Sequence, residues 1–421
     1  MTNKYDKRLL SHSGFSLLLE KLTLKFKRGH RWWSSPVVKN TELAKIVQHE
    51  KVFTSHIIKR IHQNEIIFHP FKKIIIKQEQ KLREIYIQNW VDKIIQLRIQ
   101  EIISDEINPI IHPNVFSFKK GRGPIHAVEA FIHFAQQNKS EIHILQLDIT
   151  KYGDNIDQTI LKTLLFDTLK LSNDPLMTAH LNKLLSFELI DEAGQRTSQS
   201  QGLPTGSPLV PLFENLYLLP VDIFIEKTKP LFYCRYGDDM VIAYKDRDSL
   251  KLNLKDITSE IQKLKLSIHP DKISITHFTP TSEFIWLGFK ISGKYQTGAK
   301  EVHVKRICLK IKMEIHRHFF CLRQVTTRPD LKQLKTSLEL LEKKIYHEFS
   351  NRIFYFFTSD VETKRIDDFR INQTHKAICK NFKIDKKMAW KLLRQTKHRS
   401  ANQIRMHFLR KKQWPKVPLK K

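Results

Sequence analysis

The chain has 421 residues and carries 73 Lys and Arg against 43 Asp and Glu, a formal charge of +30. Its length supports a large core and roughly two or three structural units; 41% apolar and 28% charged residues make it a folding, globular sequence rather than a disordered one. Basic residues spread over the whole length suit a polyanion, and nucleic acid fits that better than an anionic membrane surface or bare solubility does.

Cys234, Cys308, Cys321 and Cys379 have no CxxC spacing, and a chain of this size needs no disulfide staples, so a reducing cytoplasm is expected. His316 and His318 lie between two of these cysteines, but an HxH pair in a helix does not share one face, so packed or solvated residues are expected there rather than zinc. The only apolar patch near the N-terminus runs from Phe15 to Leu19, and nowhere do eighteen apolar residues follow one another. Neither secretion nor a membrane span is expected.

From Lys4 to about Gln137 the apolar spacing predicts mostly helix, clearest in "NWVDKIIQLRIQEIISDEINPII", which Pro109 and Pro113 close. A basic, glycine-containing turn follows at "FSFKKGRGP". Alternation in "EIHILQLDI" predicts a buried strand ending at Ile149, and a helix begins near Asp157. The polar stretch from Ile190 to Ser200 suits a hairpin, and "QGLPTGSPLVPLFENLYLLPVDIFIEK" passes from Pro and Gly into an apolar helix. "LFYCRYGDDMVIAY" holds two strands of apolar residues around Tyr236-Gly237-Asp238-Asp239, which places the two acids on a β-turn. A helix and a strand come next, then a short hairpin in "FIWLGFKISG" ending near Gly293, and from about Glu301 the chain is helical and basic. Between Ile371 and Lys421 there are 16 Lys and Arg against the single Asp385, a net +15 over 51 residues.

Adjacent acids with apolar flanks repel each other and lose hydration, so a partner of opposite charge is expected. A hard divalent cation such as Mg²⁺ takes carboxylate oxygens and commonly keeps substrate phosphates as further ligands. A two-ion site requires another acid at the end of a neighbouring strand, and Asp148 in "LQLDITKY" stands in that context. Asp154 and Asp157 read as acids favoured at helix N-termini.

In order, "LQLDITKYGDNID", "SQGLPTGSPLVPLFENLYL", "RYGDDMVI", "KLKLSIHPDKISI" and "FIWLGFKIS" resemble motifs A to E of a reverse transcriptase. "LREIYIQNWVDKIIQLRIQEII" and "FSFKKGRGPIHAV" resemble the fingers segments of the bacterial group, which includes group II intron, retron, diversity-generating and defence-associated enzymes. The resemblance spans about Lys81 to Gly293. It implies an α+β right-hand polymerase: an N-terminal helical extension over 1–80, fingers and an antiparallel-sheet palm over 81–295, and a helical thumb with a basic RNA-binding extension over 296–421.

What the resemblance implies is carried over by residue. Asp148 and Asp238 would ligate Mg²⁺, with Mn²⁺ as a substitute; Asp239 would tune or join that site, and the carbonyl of Ile149 would complete a shell. Gln201 and Gly202 would lie under the incoming nucleotide, where glycine permits close backbone approach. Lys272 resembles the lysine that protonates pyrophosphate. Lys119, Lys120 and Arg122 are candidates for the triphosphate clamp, and Trp286, Leu287, Gly288 and Phe289 for the primer grip.

Departures from the family pattern matter too. Most relatives carry an aromatic residue five positions after the first catalytic Asp, where its ring abuts the sugar and excludes a 2′-hydroxyl. Here that position is Gly153, so either Tyr152 has taken over, or the gate is missing, or another segment fills the place. Retron and group II intron signatures are absent, which leaves an unusual bacterial enzyme, with antiviral defence as one role. Implied partners are RNA as template or bound non-coding RNA, a DNA product, nucleoside triphosphates, and a protein partner or second copy, with no membrane. Rival readings are a template-independent or protein-primed polymerase of the same fold and a catalytically idle, maturase-like RNA-binding protein. In the C-terminal extension, Trp390, His398, Phe408 and Trp414 among positive charges suit base stacking plus phosphate binding, against a helical core as the plainer reading.

Overall fold

The structure is a computed structural model describing residues 3–27, 40–78, 81–138, 141–191, 193–299, 301–326, 329–350 and 360–396. In chain order its elements begin with α1 (Lys4–Leu9), α2 (His12–Lys27), α3 (Asn40–Gln48), α4 (Glu50–His62), β1 (Phe71–Gln78), β2 (Lys81–Ile87), α5 (Trp90–Ile110) and α6 (Pro124–Gln137). There follow β3 (Ile142–Leu147), α7 (Tyr152–Asn155), α8 (Gln158–Leu169), α9 (Pro175–Leu185), β4 (Glu188–Ile190), β5 (Arg196–Ser198), α10 (Val210–Tyr217) and α11 (Leu219–Lys227). Then come β6 (Phe232–Tyr236), β7 (Asp239–Tyr244), α12 (Arg247–Lys263), β8 (Ser274–Phe278), β9 (Glu283–Trp286), β10 (Phe289–Ser292), β11 (Thr297–Ala299), α13 (Glu301–Val325), α14 (Leu331–Ser350), α15 (Asp360–Phe382) and α16 (Lys386–Gln395).

The chain divides into two compact units, residues 1–123 with 144–275 and residues 124–143 with 276–421, the boundary falling inside β3 and β8. In the first unit, α5 is the spine. Ile94, Ile95, Ile99, Ile102, Ile103 and Ile107 are all fully buried, because apolar residues on three- and four-residue spacing wrap most of its circumference. Asn89 caps it, its side chain accepting from the Asp92 N–H. Two helix N-termini are capped by each other's chain: Asp174 Oδ1 accepts from the N–H groups of Tyr5 (2.7 Å) and Asp6, while the Asp6 carboxylate accepts from those of Leu176 and Met177 (2.8 Å).

One sheet of this unit has strand order β2-β1-β4-β5. Its β1–β2 hairpin lies where the apolar spacing predicts helix: the run Ile74-Ile75-Ile76 satisfies both periods, and its β-branched side chains favour the strand. The expected hairpin at 190–200 is β4–β5, turning at Gly194 with φ 85°. The expected apolar helix after "QGLPTGSP" is broken into α10 and α11 at Leu218, because Pro220 sits in the first turn of the second helix, where its missing N–H costs nothing.

The other sheet has order β6-β7-β3-β8. β6 and β7 form an antiparallel hairpin with Tyr236 opposite Asp239, so Gly237 and Asp238 are its two-residue loop. Gly237 has φ 67°, the left-handed backbone such a tight turn demands. Behind the turn, Arg235 is 0% exposed within β6 and forms an ion pair with the equally buried Asp222 of α11, Nη2 to Oδ2 at 2.6 Å and Nε to Oδ1 at 2.7 Å. Tyr233 also donates to Asp222, and Arg235 Nη1 donates to the Gly237 carbonyl at 2.9 Å. Burial alone would lower the Arg235 pKa; the charge and hydrogen bonds of Asp222 more than offset that and hold it above its ordinary value.

The second unit holds the three-stranded sheet β11-β10-β9 and a helical bundle. Its bundle core is Ile311, Ile315 and Phe319 from α13, Leu334, Leu338 and Leu341 from α14, and Ile378, Leu392 and Leu393 from α15 and α16. Among the described residues no helix is long and apolar enough to cross a membrane.

Replacing Arg235 with Met leaves Asp222 as an uncompensated buried charge, and urea unfolding should register a loss of about 3–5 kcal/mol. Combining Arg235→Met with Asp222→Leu should cost less than the sum of the two single changes. A loss below about 1 kcal/mol for Arg235→Met would mean that water reaches this pair in solution.

Candidate active site

Asp148 follows the end of β3 and is buried, at 9% exposure. The segment after α12 runs alongside it: Ser267 accepts from the Thr150 N–H at 2.9 Å, the Asp148 carbonyl accepts from the His269 N–H at 3.0 Å, and Ile149 bridges to Ile268. A short 3₁₀ turn at Pro270–Lys272 then brings the Lys272 ammonium onto the Asp148 carboxylate as an ion pair. Lys272 and Asp148, assigned separately from sequence, are therefore direct partners here. The Ile149 side chain is buried.

Asp238 and Asp239 sit half-buried on the β6–β7 turn, and β7 is the sheet neighbour of β3. Burial pushes the Asp238 carboxyl above its ordinary range, against the pull of the nearby Arg235 charge. Glu214 of α10 faces the same region. Its carboxyl is pushed up to about 7, first by burial and then by the charge of Asp238, with Arg235 opposing.

The "QGLP" loop lies against the chain that follows Asp148. Gly202 N–H donates to the Ile156 carbonyl at 2.8 Å and Leu203 N–H to the Gly153 carbonyl at 2.9 Å. Gly202 has φ 81°, and any Cβ there would stand 2.9 Å from the Asp154 carbonyl, so only glycine allows the two backbones to meet. Exposed Gln201 and buried Gly202 border a polar cleft of about 420 Å³, lined also by Lys73, Glu84, Tyr86 and Asp154. Asp157 caps α8 through the N–H groups of Thr159 and Ile160, as its position suggested, and pairs with Lys265 at 2.6 Å.

Tyr152 points inward. It is 5% exposed, and its hydroxyl donates to the Glu214 carbonyl at 2.5 Å. Lys119 and Arg122 turn back on their own loop: Lys119 donates to the carbonyls of Ile111 and His112, and Arg122 to that of Pro113. Burial and the neighbouring Arg122 bring the Lys119 pKa down to about 8. Lys120 is exposed.

In the second unit, Trp286 and Phe289 pair across a hairpin whose loop is Leu287-Gly288, both with positive φ (49° and 85°), as a two-residue primed turn requires. Trp390, partly buried, packs against the bundle core and stacks on His375 with ring centroids 4.4 Å apart. His318 is likewise engaged, with its Nε2 2.8 Å from the Ser337 hydroxyl. His398, Phe408 and Trp414 lie outside the described residues.

Sequence reasoning passed over Arg235, Asp222, Asn215 and Glu214. The available signal was a charged or amide residue inside an otherwise apolar strand or helix. Asn215 is buried, accepts from Ser117 Oγ at 2.9 Å and donates to the Ser117 carbonyl at 3.0 Å, so it fastens α10 to the "FSFKK" segment.

Among the described residues no three His, Cys, Asp or Glu side chains converge closely enough to hold a metal ion. Mg²⁺ is commonly held by one or two carboxylates with substrate phosphates completing the shell, and the residues present fit that mode. Asp148 and Asp238 supply hard oxygen donors. Burial raises the carboxyls of Asp238 and Glu214, while Asp148 is paired with the Lys272 ammonium.

A mixed helix-and-sheet chain with Asp148 directly after one strand and Asp239 opening the strand beside it suits the nucleotidyltransferase class. The chain belongs to the reverse transcriptase (RNA-dependent DNA polymerase) family, whose pattern matches residues 75–291, just over half of its length. Among solved structures it is similar to apo telomerase from Candida tropicalis, at 14% identity and a TM-score of 0.48 over 77% of this chain and 60% of that one. It is also similar to telomerase from Candida albicans in complex with a fragment of telomeric RNA, at 12% identity and a TM-score of 0.45 over 78% of this chain and 61% of that one. A truncated Candida tropicalis telomerase matches at 14% identity and a TM-score of 0.45, over 55% of each chain. The chain thus spans less than two thirds of the length of these structures. No curated protein sequence matches it.

A carboxyl whose folded-state pKa is raised favours the protonated form, so its contribution is full below the unfolded value near 4.5 and is lost as pH rises through about 7. Glu214→Gln removes this loss. In metal-free buffer the variant should match the wild type near pH 4 and exceed it above pH 7 by on the order of 2 kcal/mol. Chemical denaturation across that range checks the sign, and an equal or lower stability for Gln at pH 8 would place Glu214 in contact with solvent.

Proposed function

We propose that this protein is an RNA-directed DNA polymerase of right-hand architecture, in which residues 81–295 form fingers and palm and the basic helices after 296 form the thumb and an RNA-binding extension. One observation carries the reading: within a chain of the reverse transcriptase family, Asp148 directly follows one strand, and Asp238 and Asp239 lie in the turn and at the start of the strand beside it in the same sheet. In this reading Asp148 and Asp238 hold divalent metal, Mg²⁺ or its substitute Mn²⁺, with the Ile149 carbonyl as a further ligand and Asp239 tuning the pair. Such metal, when bound, supplies the activation of a primer 3′-hydroxyl and stabilises the leaving pyrophosphate.

The chain's own residues do the rest. Gln201 and Gly202 form the floor on which the nucleotide rests, since the glycine brings main chain where a side chain would intrude. Lys272, which pairs with Asp148, would offer its ammonium proton to pyrophosphate. Lys119 and Arg122 leave their loop carbonyls for the triphosphate, Lys120 lies beside them, and Trp286 to Phe289 grip the primer. RNA is the template and the main macromolecular partner, as the charge of +30 suits. In this reading the enzyme works in the cytoplasm with a bound non-coding RNA, in antiviral defence.

Asp148→Asn and Asp238→Asn remove charge from metal ligands and no volume from the core. Each should abolish nucleotide incorporation on a primed RNA template while leaving the unfolding transition in place, and Asp239→Asn should reduce incorporation less uniformly. Wild-type incorporation by either of the first two would overturn the assignment.

Residues 397–421 contain nine Lys and Arg and no acid. A deletion beginning at Ala377 would tear out the buried Ile378, Ala389, Leu392 and Leu393, whereas one beginning at Lys397 spares that core. The shorter deletion should weaken RNA binding and flatten its log–log salt dependence, by about 0.7 on single strands for every phosphate that is no longer neutralised. An unchanged slope would place the RNA surface elsewhere.

A further inference from the structure

Gly153 leaves open which group, if any, bounds the sugar pocket. A β-carbon placed on Gly153 would stand 3.3 Å from Oε1 of Glu214, tighter than side chains ordinarily pack, so a side chain at 153 and the Glu214 carboxyl compete for one volume. Tyr152, the neighbouring alternative, is inside the core with its hydroxyl committed to the Glu214 carbonyl. That bond removes Tyr152 from the pocket and fixes the stretch of α10 that carries Glu214. Asn215, the next residue, is fixed in turn by Ser117 and by Arg235, whose Nη1 lies 3.3 Å from its side-chain oxygen.

The Glu214 side chain itself has neither a hydrogen-bond partner nor an ion-pair partner among the described residues. Part-buried on a pinned helix, the Glu214 side chain occupies the volume beside Gly153 whatever its charge. On one side of Gly153 stands this carboxyl, and on the other the Gly153 carbonyl accepts from Leu203 at the cleft floor.

We propose that Glu214 is the sugar-selecting residue of this polymerase: its side chain, reaching over from α10, fills the place a side chain at 153 would take and leaves room for a C2′ methylene but not for a 2′-hydroxyl. The role is one of volume, in the sense that rejecting a hydroxyl requires an atom for it to strike. The inference rests on the polymerase reading above and assigns its nucleotide specificity.

The test uses the full chain with the RNA that purifies with it. Two quantities are measured for wild type, Glu214→Ala, Glu214→Gln and the double variant Gly153→Phe/Glu214→Ala: the ratio of incorporation efficiencies for one base as deoxy- and as ribonucleotide, and calorimetric affinity for the two triphosphates. Wild type should prefer the deoxynucleotide. Glu214→Ala should lower that preference by about tenfold or more, the range a missing pocket group commands. Glu214→Gln, of equal volume, should keep it within about threefold, and the double variant, with a ring in the vacated place, should regain it. A preference unchanged in Glu214→Ala overturns the proposal. So does a preference that rises there, since Glu214 would then be accepting a hydrogen bond from the 2′-hydroxyl, and so does an equal loss in Gln and Ala, which would make charge rather than volume the cause. Selective binding that Glu214→Ala equalises, without incorporation by any form, upholds the pocket and refutes the polymerase reading; binding of neither triphosphate by wild type refutes both.

Discussion

The ion pair between Arg235 and Asp222 holds the first unit's chemistry in place. Two charges with no solvent exposure are expensive to bury, and the attraction between them repays that only with near-ideal geometry and further hydrogen bonds. Both conditions are met: the contact is forked, Tyr233 takes part on the acid, and Asn215 and the Gly237 carbonyl take up remaining guanidinium donors. The Arg235 main chain exchanges hydrogen bonds with Asn114 and Phe116, its N–H donating to the first carbonyl and its carbonyl accepting from the second N–H. One residue thus ties together a β-hairpin, two helices and, through its main chain, the segment bearing Lys119. Its charge also counters the desolvation that raises Asp238 and Glu214, so the same group sets both the position of the acids and the ease with which they ionise.

The site's floor depends on a second constraint, the approach of main chain to main chain. At Gly202 a Cβ would meet the Asp154 carbonyl at 2.9 Å, and at Gly206 it would meet the Tyr86 carbonyl at 2.4 Å. Tyr86 N–H in turn donates to the Thr205 carbonyl at 3.2 Å, so the β2 strand is seated on the same loop. Space is what these two glycines provide. Gly237 differs, since nothing lies within 4 Å of where its Cβ would be and only its backbone angle demands glycine.

Features set by local pattern could be read from the sequence alone. Two apolar runs around Gly237 and Asp238 announced a hairpin, Asp157 announced a cap, and "FIWLGFKISG" announced a short hairpin, whose turn falls at Leu287-Gly288. The β1–β2 hairpin escaped because three consecutive isoleucines fit a helix face and a buried strand equally. What could not be read were pairings that exist only after the chain has folded back on itself. Nothing in "VDIFIEK" marks Asp222 as the partner of a strand arginine 13 residues later, and nothing in "LFENLYL" directs Glu214 toward Gly153, 61 positions earlier. Tyr152 illustrates the same limit: its position relative to Asp148 was legible, whereas the direction of its ring depends on a carbonyl of α10. Trp390 was ambiguous because a core aromatic and a base-stacking aromatic share one composition; in the fold it is partly buried and stacks on His375.

The exchanged caps at the two ends of a long stretch of chain bear on how this protein is made. Tyr5 and Asp6 take their acceptor from Asp174, and Asp6 in turn accepts from Leu176 and Met177, so neither helix start is satisfied until both segments exist. At a ribosomal pace of about 5–20 residues per second, roughly ten to thirty seconds separate the emergence of the two. For that interval α1, whose Leu9 ends up in the core, has α5 to settle on but not α9, the other helix it packs against. α1 is made well before α9 yet cannot be capped until α9 exists, and until then a nascent chain of this kind has an unfinished apolar helix to keep from wrong partners.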